Sequence, residues 1–283
     1  MAVVDAHHHV WDLAVRDQEW ITGPAMAPIR RDFSAADLAP EARAAGVRAT
    51  VVVQTVTTAA ETPELLALAQ GSDLVAGVVG WTDLTAPDVA DTLARLRELP
   101  GGERLVGIRH QVQGERDPRW LLRPDVRRGL AAVAAAGLVY DLVVTPGQLP
   151  AAAEAAGRLP ELTFVLDHLG KPPIAAGERE PWADRVRALA AHGNTVCKLS
   201  GMVTEASWDS WTPEDLRPYA ETVIEVFGPS RLMFGSDWPV CLLAADYARV
   251  TEAARLLTGA LTEPERKEIF EAVACRVYGL PTA

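Results

Sequence analysis

The sequence predicts one (β/α)₈ barrel. Three observations carry this. Apolar, β-branched runs alternate with amphipathic helical stretches from end to end. Eight such strand–helix pairs fit in 283 residues, the usual size of this barrel. The strands are near-continuous Val, Leu and Ile, as expected of a parallel sheet covered on both faces.

Strand 1 is Val3–His9. The long segment Val10–Asp32, with Trp11 and Trp20, reads as a binding loop or lid. Helix 1 starts at Ser34, an N-cap residue with Asp37 three positions on, and stops near Gly46. Strand 2 (Ala49–Gln54), helix 2 (Thr62–Gln70, with Pro63 in its first turn), strand 3 (Leu74–Trp81), helix 3 (Pro87–Leu99) and strand 4 (Leu105–Gln111) follow. After a polar loop come helix 4 (Pro124–Gly137), strand 5 (Leu138–Val144), the alanine-rich helix 5 (Gln148–Arg158) and strand 6 (Leu162–His168). The last third gives helix 6 (Pro181–His192), strand 7 (Thr195–Ser200), a loop with Trp208 and Trp211, and helix 7 (Pro213–Phe227). Strand 8 (Arg231–Asp237), helix 8 (Ala244–Leu257) and an extra C-terminal helix (Glu263–Tyr278) complete the chain. No linker or composition break appears, so residues 1–283 read as a single domain. An open doubly wound sheet would ask for a glycine-rich loop after strand 1, where His7-His8-His9 stands instead.

The totals exclude several function classes. A net charge of −11 argues against a nucleic-acid partner. No apolar run reaches membrane-spanning length, and no signal peptide precedes strand 1, so a cytoplasmic setting is expected. Cys197, Cys241 and Cys275 are odd in number and far apart, which is no disulfide framework. Oligomeric state has no signature here. Only three lysines occur, Lys171, Lys198 and Lys267, in a chain that otherwise uses arginine.

A barrel enzyme assembles its site from the C-terminal ends of its strands. Those ends are polar here. Strand 1 gives His7 and His9, placed on one face by two-residue alternation, with Asp5 below them on the same face. Strands 2 and 3 give Gln54 and Trp81, and strand 4 gives Arg109, His110 and Gln111. Strand 5 ends in Tyr140-Asp141, strand 6 in Asp167-His168, strand 7 in Lys198 and Ser200, and strand 8 in Ser236-Asp237-Trp238. Alternation lets only one of Asp167 and His168 face the axis. His7, His9, His168 and Asp237 converge from three strands. Three imidazoles and a carboxylate hold one divalent metal, or activate a water directly.

The stretches Asp5-Ala6-His7-His8-His9-Val10-Trp11-Asp12, Gly107-Ile108-Arg109-His110, Asp167-His168-Leu169-Gly170-Lys171-Pro172, Cys197-Lys198-Leu199-Ser200-Gly201 and Phe234-Gly235-Ser236-Asp237-Trp238-Pro239 together resemble the amidohydrolase superfamily. Within it they resemble the lactonase-like branch that includes sugar-lactone and pyrone-dicarboxylate lactonases. The resemblance implies a distorted barrel and a hydrolase that opens a lactone, most naturally a small sugar-acid 1,4- or 1,5-lactone. It makes Asp237 the base toward water and matches His7, His9 and His168 to the histidines of the site. It places Arg109, Lys198 and nearby groups where substrate is contacted, and the strand ends add His110, Trp81 and Gln54 as candidate substrate contacts. No bridging lysine or glutamate ends strand 4 and no histidine ends strand 5, so a two-metal centre is not expected. The expectation is no required cofactor, or one divalent metal, zinc first, on His7, His9, His168 and Asp237. The alternatives are a mononuclear zinc hydrolase or decarboxylase of the same superfamily and, in another class, a non-catalytic binding protein.

Overall fold

The computed structural model describes residues 2–281. Eight strands, β1 (Val3–His8), β2 (Val47–Val53), β3 (Val75–Gly80), β4 (Leu105–His110), β5 (Val139–Leu142), β6 (Phe164–Leu166), β7 (Thr195–Leu199) and β8 (Leu232–Phe234), lie in sequence order in one sheet. Each is parallel to the next. The segment after β8 returns to β1: the Asp237 amide donates to the His7 carbonyl (2.8 Å) and the His9 amide to the Trp238 carbonyl (2.7 Å). This parallel bridge brings the last strand back to the first and makes the sheet a barrel.

The helices start where their sequence signals stand. Ser34 and Asp37 form a capping box on α1 (Ala35–Ala44), and Thr212 and Asp215 form another on α8 (Pro213–Phe227). Between them run α2 (Glu61–Gln70), α3 (Val89–Glu98), α4 (Pro124–Ala135), α5 (Leu149–Arg158), α6 (Trp182–Ala190) and a single turn, α7 (Met202–Glu205). The turn α7 lies in a segment expected to be loop. The outer helix α9 (Tyr247–Leu257) starts three residues later than expected, because Asp246 caps it. Strands 5, 6 and 8 are also shorter than expected; β6 and β8 stop where their apolar run gives way to Asp167-His168 and Gly235-Ser236-Asp237.

Two apolar layers result. One lies between sheet and helices and holds Val52, Val78, Ile108, Tyr140, Phe164, Cys197 and Leu232. The other fills the barrel interior with Val4, Ala6, Val51, Val53, Val79, Val139, Val165, Val196 and Met233. The extra C-terminal helix closes the bottom of this interior. It runs as α10 (Glu263–Lys267), a π-helical turn (Glu268–Ala272) and α11 (Val273–Tyr278), and Val273, Ala274, Cys275, Tyr278 and Leu280 pack into the interior layer. Among the described residues, no helix is long and apolar enough to cross a membrane.

The Tyr278 hydroxyl ends beneath the polar layer and donates to both oxygens of Asp141, 3.0 Å each. Tyr278→Phe removes that charge-assisted hydrogen bond from a buried carboxylate and should cost about 1.5–3 kcal/mol of stability. Urea unfolding followed by circular dichroism checks it; an unchanged midpoint would contradict this role.

Candidate active site

Above the apolar interior the same inward face turns charged. Asp141, Asp167 and Lys198 each stand two residues beyond an interior valine, Val139, Val165 and Val196. Period-2 alternation therefore carries all three side chains to the axis. They meet Arg109 of β4 there. The Asp167 carboxylate accepts from Arg109 Nη1 at 2.9 Å and lies 3.0 Å from Lys198 Nζ. Lys198 also pairs with Asp141. These side chains are at most a few per cent exposed. Burial would raise the Asp167 carboxyl, but Lys198, His7 and Arg109 outweigh it and hold the group well below the ordinary carboxylate range. Burial pushes Asp141 up to about 6, with Lys198 opposing and Asp167 adding to the rise.

His7 stands on this ion network, with Nδ1 3.1 Å from Lys198 Nζ and 3.3 Å from an Asp167 oxygen. It faces the axis through an irregularity in β1. The pairing of β1 with β2 shifts between Asp5 and His8, so inward Ala6 is followed by inward His7. Asp5 consequently does not share the His7/His9 face, contrary to simple alternation. Its carboxylate accepts from the amides of His7 (3.1 Å) and Ser236 (2.8 Å) and from the Tyr247 hydroxyl of α9 (2.9 Å). Asp5 thus fastens the bulge from outside the site.

Two further departures from strand geometry complete the cluster. His168 (φ 53°) and Asp237 (φ 59°) are left-handed, a conformation that costs a non-glycine residue about 1–3 kcal/mol. The turn at His168 brings both Asp167 and His168 to the centre, where alternation allows only one of them. The Nε2 atoms of His9, His7 and His168 then lie 3.5, 3.7 and 3.8 Å from Asp237 Oδ1. His7 and His9 Nε2 are 3.1 Å apart. His9 is oriented by the Val53 carbonyl, 2.7 Å from Nδ1. That oxygen can only accept, so His9 carries a proton on Nδ1 and turns Nε2 toward the cluster. Burial and Lys198 lower the His7 pKa well below 6.5, and burial lowers His168 to about 4. Burial would raise Asp237; the three histidines more than offset it and hold the carboxyl below its usual range.

A tetrahedral ion with bonds near 2.0–2.2 Å needs donors about 3.3–3.6 Å apart. The donor spacings of 3.1 to 3.8 Å lie close to that range, and His7, His168 and Asp237 present one ligand atom each within 4.8 Å of one another. His9 would supply a fourth. The residues therefore suit one divalent ion.

The cluster floors a cavity of about 390 Å³ lined by His9, Arg109, His168 and Asp237 below and by loop residues above. Of the expected substrate contacts, only Arg109 reaches it. Gln54 and Lys198 lie under the floor: Gln54 Oε1 accepts from Arg109 Nε at 2.9 Å, and Lys198 is fully buried. His110 and Trp81 lie outside the cavity wall, because the residue after inward Arg109 must face outward. His110 is stacked on Trp120 at 4.2 Å and is hydrogen-bonded to Trp81 Nε1 (3.0 Å) and Glu115 (2.8 Å). The tryptophan loops divide. Trp20 and Trp208 line the cavity, whereas Trp11 and Trp211 are buried beneath them. Gln111, Gln113, Thr204 and Glu205 join the wall; they sit in the segments that follow β4 and β7, where short single turns replace any periodic apolar signal. Arg119 and Arg123 pair with Glu154 and Asp125 on the surface.

A parallel barrel that gathers His7, His9, His168 and Asp237 at the C-terminal ends of its strands has the layout of a barrel hydrolase. The chain belongs to the amidohydrolase family, whose model matches residues 4–280. It is 40% identical to an L-fucono-1,5-lactonase of Burkholderia multivorans, over 98% of this chain and 96% of that one. It is also 40% identical to an L-fucono-1,5-lactonase of Burkholderia ambifaria, over 97% and 94%. Two crystal structures of an amidohydrolase from Burkholderia multivorans, one with bound HEPES and one with bound zinc, superpose with TM-scores of 0.92 and 0.91 at 38% identity. Each covers 99% of this chain and 100% of that one.

The buried neutral histidines make stability depend on pH. His168 near 4 and His8 near 3, both below the 6.5 of a free imidazole, bind fewer protons folded than unfolded. Their contribution is complete above pH 6.5 and is lost as pH falls toward 4. Thermal melts between pH 8 and 4.5 should show Tm dropping below pH 6.5. A Tm that stays flat to pH 4.5 would contradict the buried, uncharged assignment.

Proposed function

We propose that this protein hydrolyses an uncharged sugar-acid lactone, with Asp237 as the base. The observation that carries the reading is the convergence of three imidazole nitrogens on one Asp237 oxygen, with His9, His168 and Asp237 lining the floor of a sugar-sized cavity and His7 directly beneath. Similarity to two L-fucono-1,5-lactonases over nearly the whole chain supports the substrate class.

The charges in the cavity favour a neutral substrate. Its two permanent cations are both paired, Arg109 with Asp167 and Lys171 with Glu205. The charge of each is already compensated, which favours a sugar lactone over a pyrone dicarboxylate.

In the proposed reaction a water sits between Asp237 and the histidines. Asp237, ionised because the histidines surround it, takes its proton. The oxygen attacks the lactone carbonyl, and the developing negative charge faces Arg109, whose guanidinium is fixed by Asp167 and Gln54. The C–O bond to the ring oxygen breaks, and Asp237 returns the proton to that leaving oxygen, giving the open hydroxy acid. His9, with its Nε2 turned inward, and His7 and His168 orient the water. A divalent ion held by His7, His9, His168 and Asp237 would acidify that water and polarise the carbonyl.

Asp237→Asn should keep the fold and lose about 10²–10⁴-fold in turnover, the usual worth of a general base. The measurement is acid release from a panel of sugar-acid 1,4- and 1,5-lactones in a pH-indicator assay. Near-wild-type rates in that variant would remove Asp237 from the role. The same assay after exhaustive chelation, with zinc added back, tests the metal: activity lost and then restored marks a zinc-dependent hydrolase, and unaltered activity marks chemistry by the side chains alone.

A further inference from the structure

The wall opposite the floor carries a feature the reaction above does not use. Residues 168–171 form one left-handed turn, with φ of 53° at His168, 56° at Leu169, 72° at Gly170 and 56° at Lys171. Three of the four are not glycine, so the backbone is strained throughout. It is held there by packing. Leu169 is fully buried, its carbonyl accepts from Trp182 Nε1 at 2.8 Å, and a Cβ on Gly170 would press on Leu149 at 3.0 Å. One effect of the turn is to present His168 to the reaction centre. Its other effect is to present Lys171, three residues on, to the same cavity.

Lys171 Nζ meets Glu205 Oε1 at 2.6 Å. Glu205 is the last residue of α7, the short turn that begins after Gly201. A Cβ on Gly201 would strike the His168 ring at 2.5 Å, so the two loops fit only with glycine there. Both members of the pair are about one-quarter exposed and line the cavity with Trp20 and Trp208. Among the described residues, Lys171 Nζ has no other hydrogen-bond partner and Glu205 Oε2 has none. The pair therefore offers the cavity two N–H donors and one carboxylate acceptor side by side, with no net charge.

We infer that Lys171 and Glu205 are specificity-determining residues that together read two neighbouring hydroxyl groups of the substrate ring. One hydroxyl oxygen accepts from Lys171 Nζ, and the adjacent hydroxyl donates to Glu205 Oε2. A hydrogen-bonding site of this kind discriminates strongly against an analogue that lacks the hydroxyls, because its polar groups are then left unpaired. Trp20 and Trp208 supply apolar faces for the C–H side of such a ring. This rests on the lactonase reading and narrows it to a polyol ring.

The test compares L-fucono-1,5-lactone with unsubstituted δ-valerolactone. The readout is the ratio of their kcat/KM values in wild type, Lys171→Met, Glu205→Leu and the double variant, with Tm as a check on folding. The ratio should fall about 10- to 100-fold in each single variant, mainly through a raised KM for the sugar lactone. The double variant removes both charges at once and serves if a single variant fails to fold. A ratio within twofold of wild type in a folded variant would overturn the inference, whether both rates fall or neither does. If wild type opens neither lactone, the lactonase reading fails. The pair is then judged by calorimetric binding of L-fuconate against 5-hydroxyvalerate, where the same loss of preference is expected and its absence is decisive.

Discussion

The site depends on one buried carboxylate. Asp167 lies within 2.9 Å of Arg109, 3.0 Å of Lys198 and 3.3 Å of His7, and so ties β4, β7 and β1 to the end of β6. Without it two buried cations would face one another, and an uncompensated buried charge costs about 3–5 kcal/mol. Asp141 answers the second cation and is itself held by Tyr278 from the C-terminal helix. Two positive and two negative groups thus cancel beneath the floor. Asp237 is left as the uncompensated charge above it, beside His7 and His168, whose pKa values burial lowers.

That layer fixes the histidines because strand geometry is broken at defined places. The bulge of β1 and the left-handed His168 and Asp237 each set aside a local preference. Each is offset by hydrogen bonds: the Asp5 carboxylate accepts from the amides of His7 and Ser236, the His168 carbonyl accepts from the Lys171 amide, and the Asp237 amide donates to the His7 carbonyl. The strain and the bonds that offset it sit on opposite sides of the same strands. The cluster is therefore pre-set rather than assembled on binding.

The same division explains what the sequence discloses. Strand and helix order follow from apolar periodicity and caps such as Ser34 and Thr212, which act within a few residues. His7, His9, His168 and Asp237 are legible because polar groups at the ends of apolar strands have few other reasons to be there. Alternation misplaces Asp5 and forbids the joint use of Asp167 and His168, because one inserted residue or one positive φ reverses every later side chain. It also could not separate Arg109, which faces the axis, from His110, which packs on Trp120. Lys198 and Gln54 carry the right chemistry one layer too low: a group at a strand end supports the floor or lines it according to a rise of one residue. Glu205 and Gln113 lie on single short turns between strand and helix, too brief for any periodic pattern to fix their direction.

His7 shows how one set of residues can suit chemistry with or without an ion. Its Nε2 lies 3.1 Å from His9 Nε2. A proton on His7 Nε2 satisfies that contact, and Lys198 then donates to Nδ1. An ion at Nε2 requires the proton on Nδ1 instead, and an Asp167 oxygen stands 3.3 Å away to accept it. The two forms differ only by which ring nitrogen holds the proton, and the buried network satisfies both. Arg109, 3.4 Å from the same Nε2, keeps a positive charge beside the reaction centre in either form. In the proposed reaction the positive charge facing the developing oxyanion is therefore carried by the protein itself, and an ion would add to it.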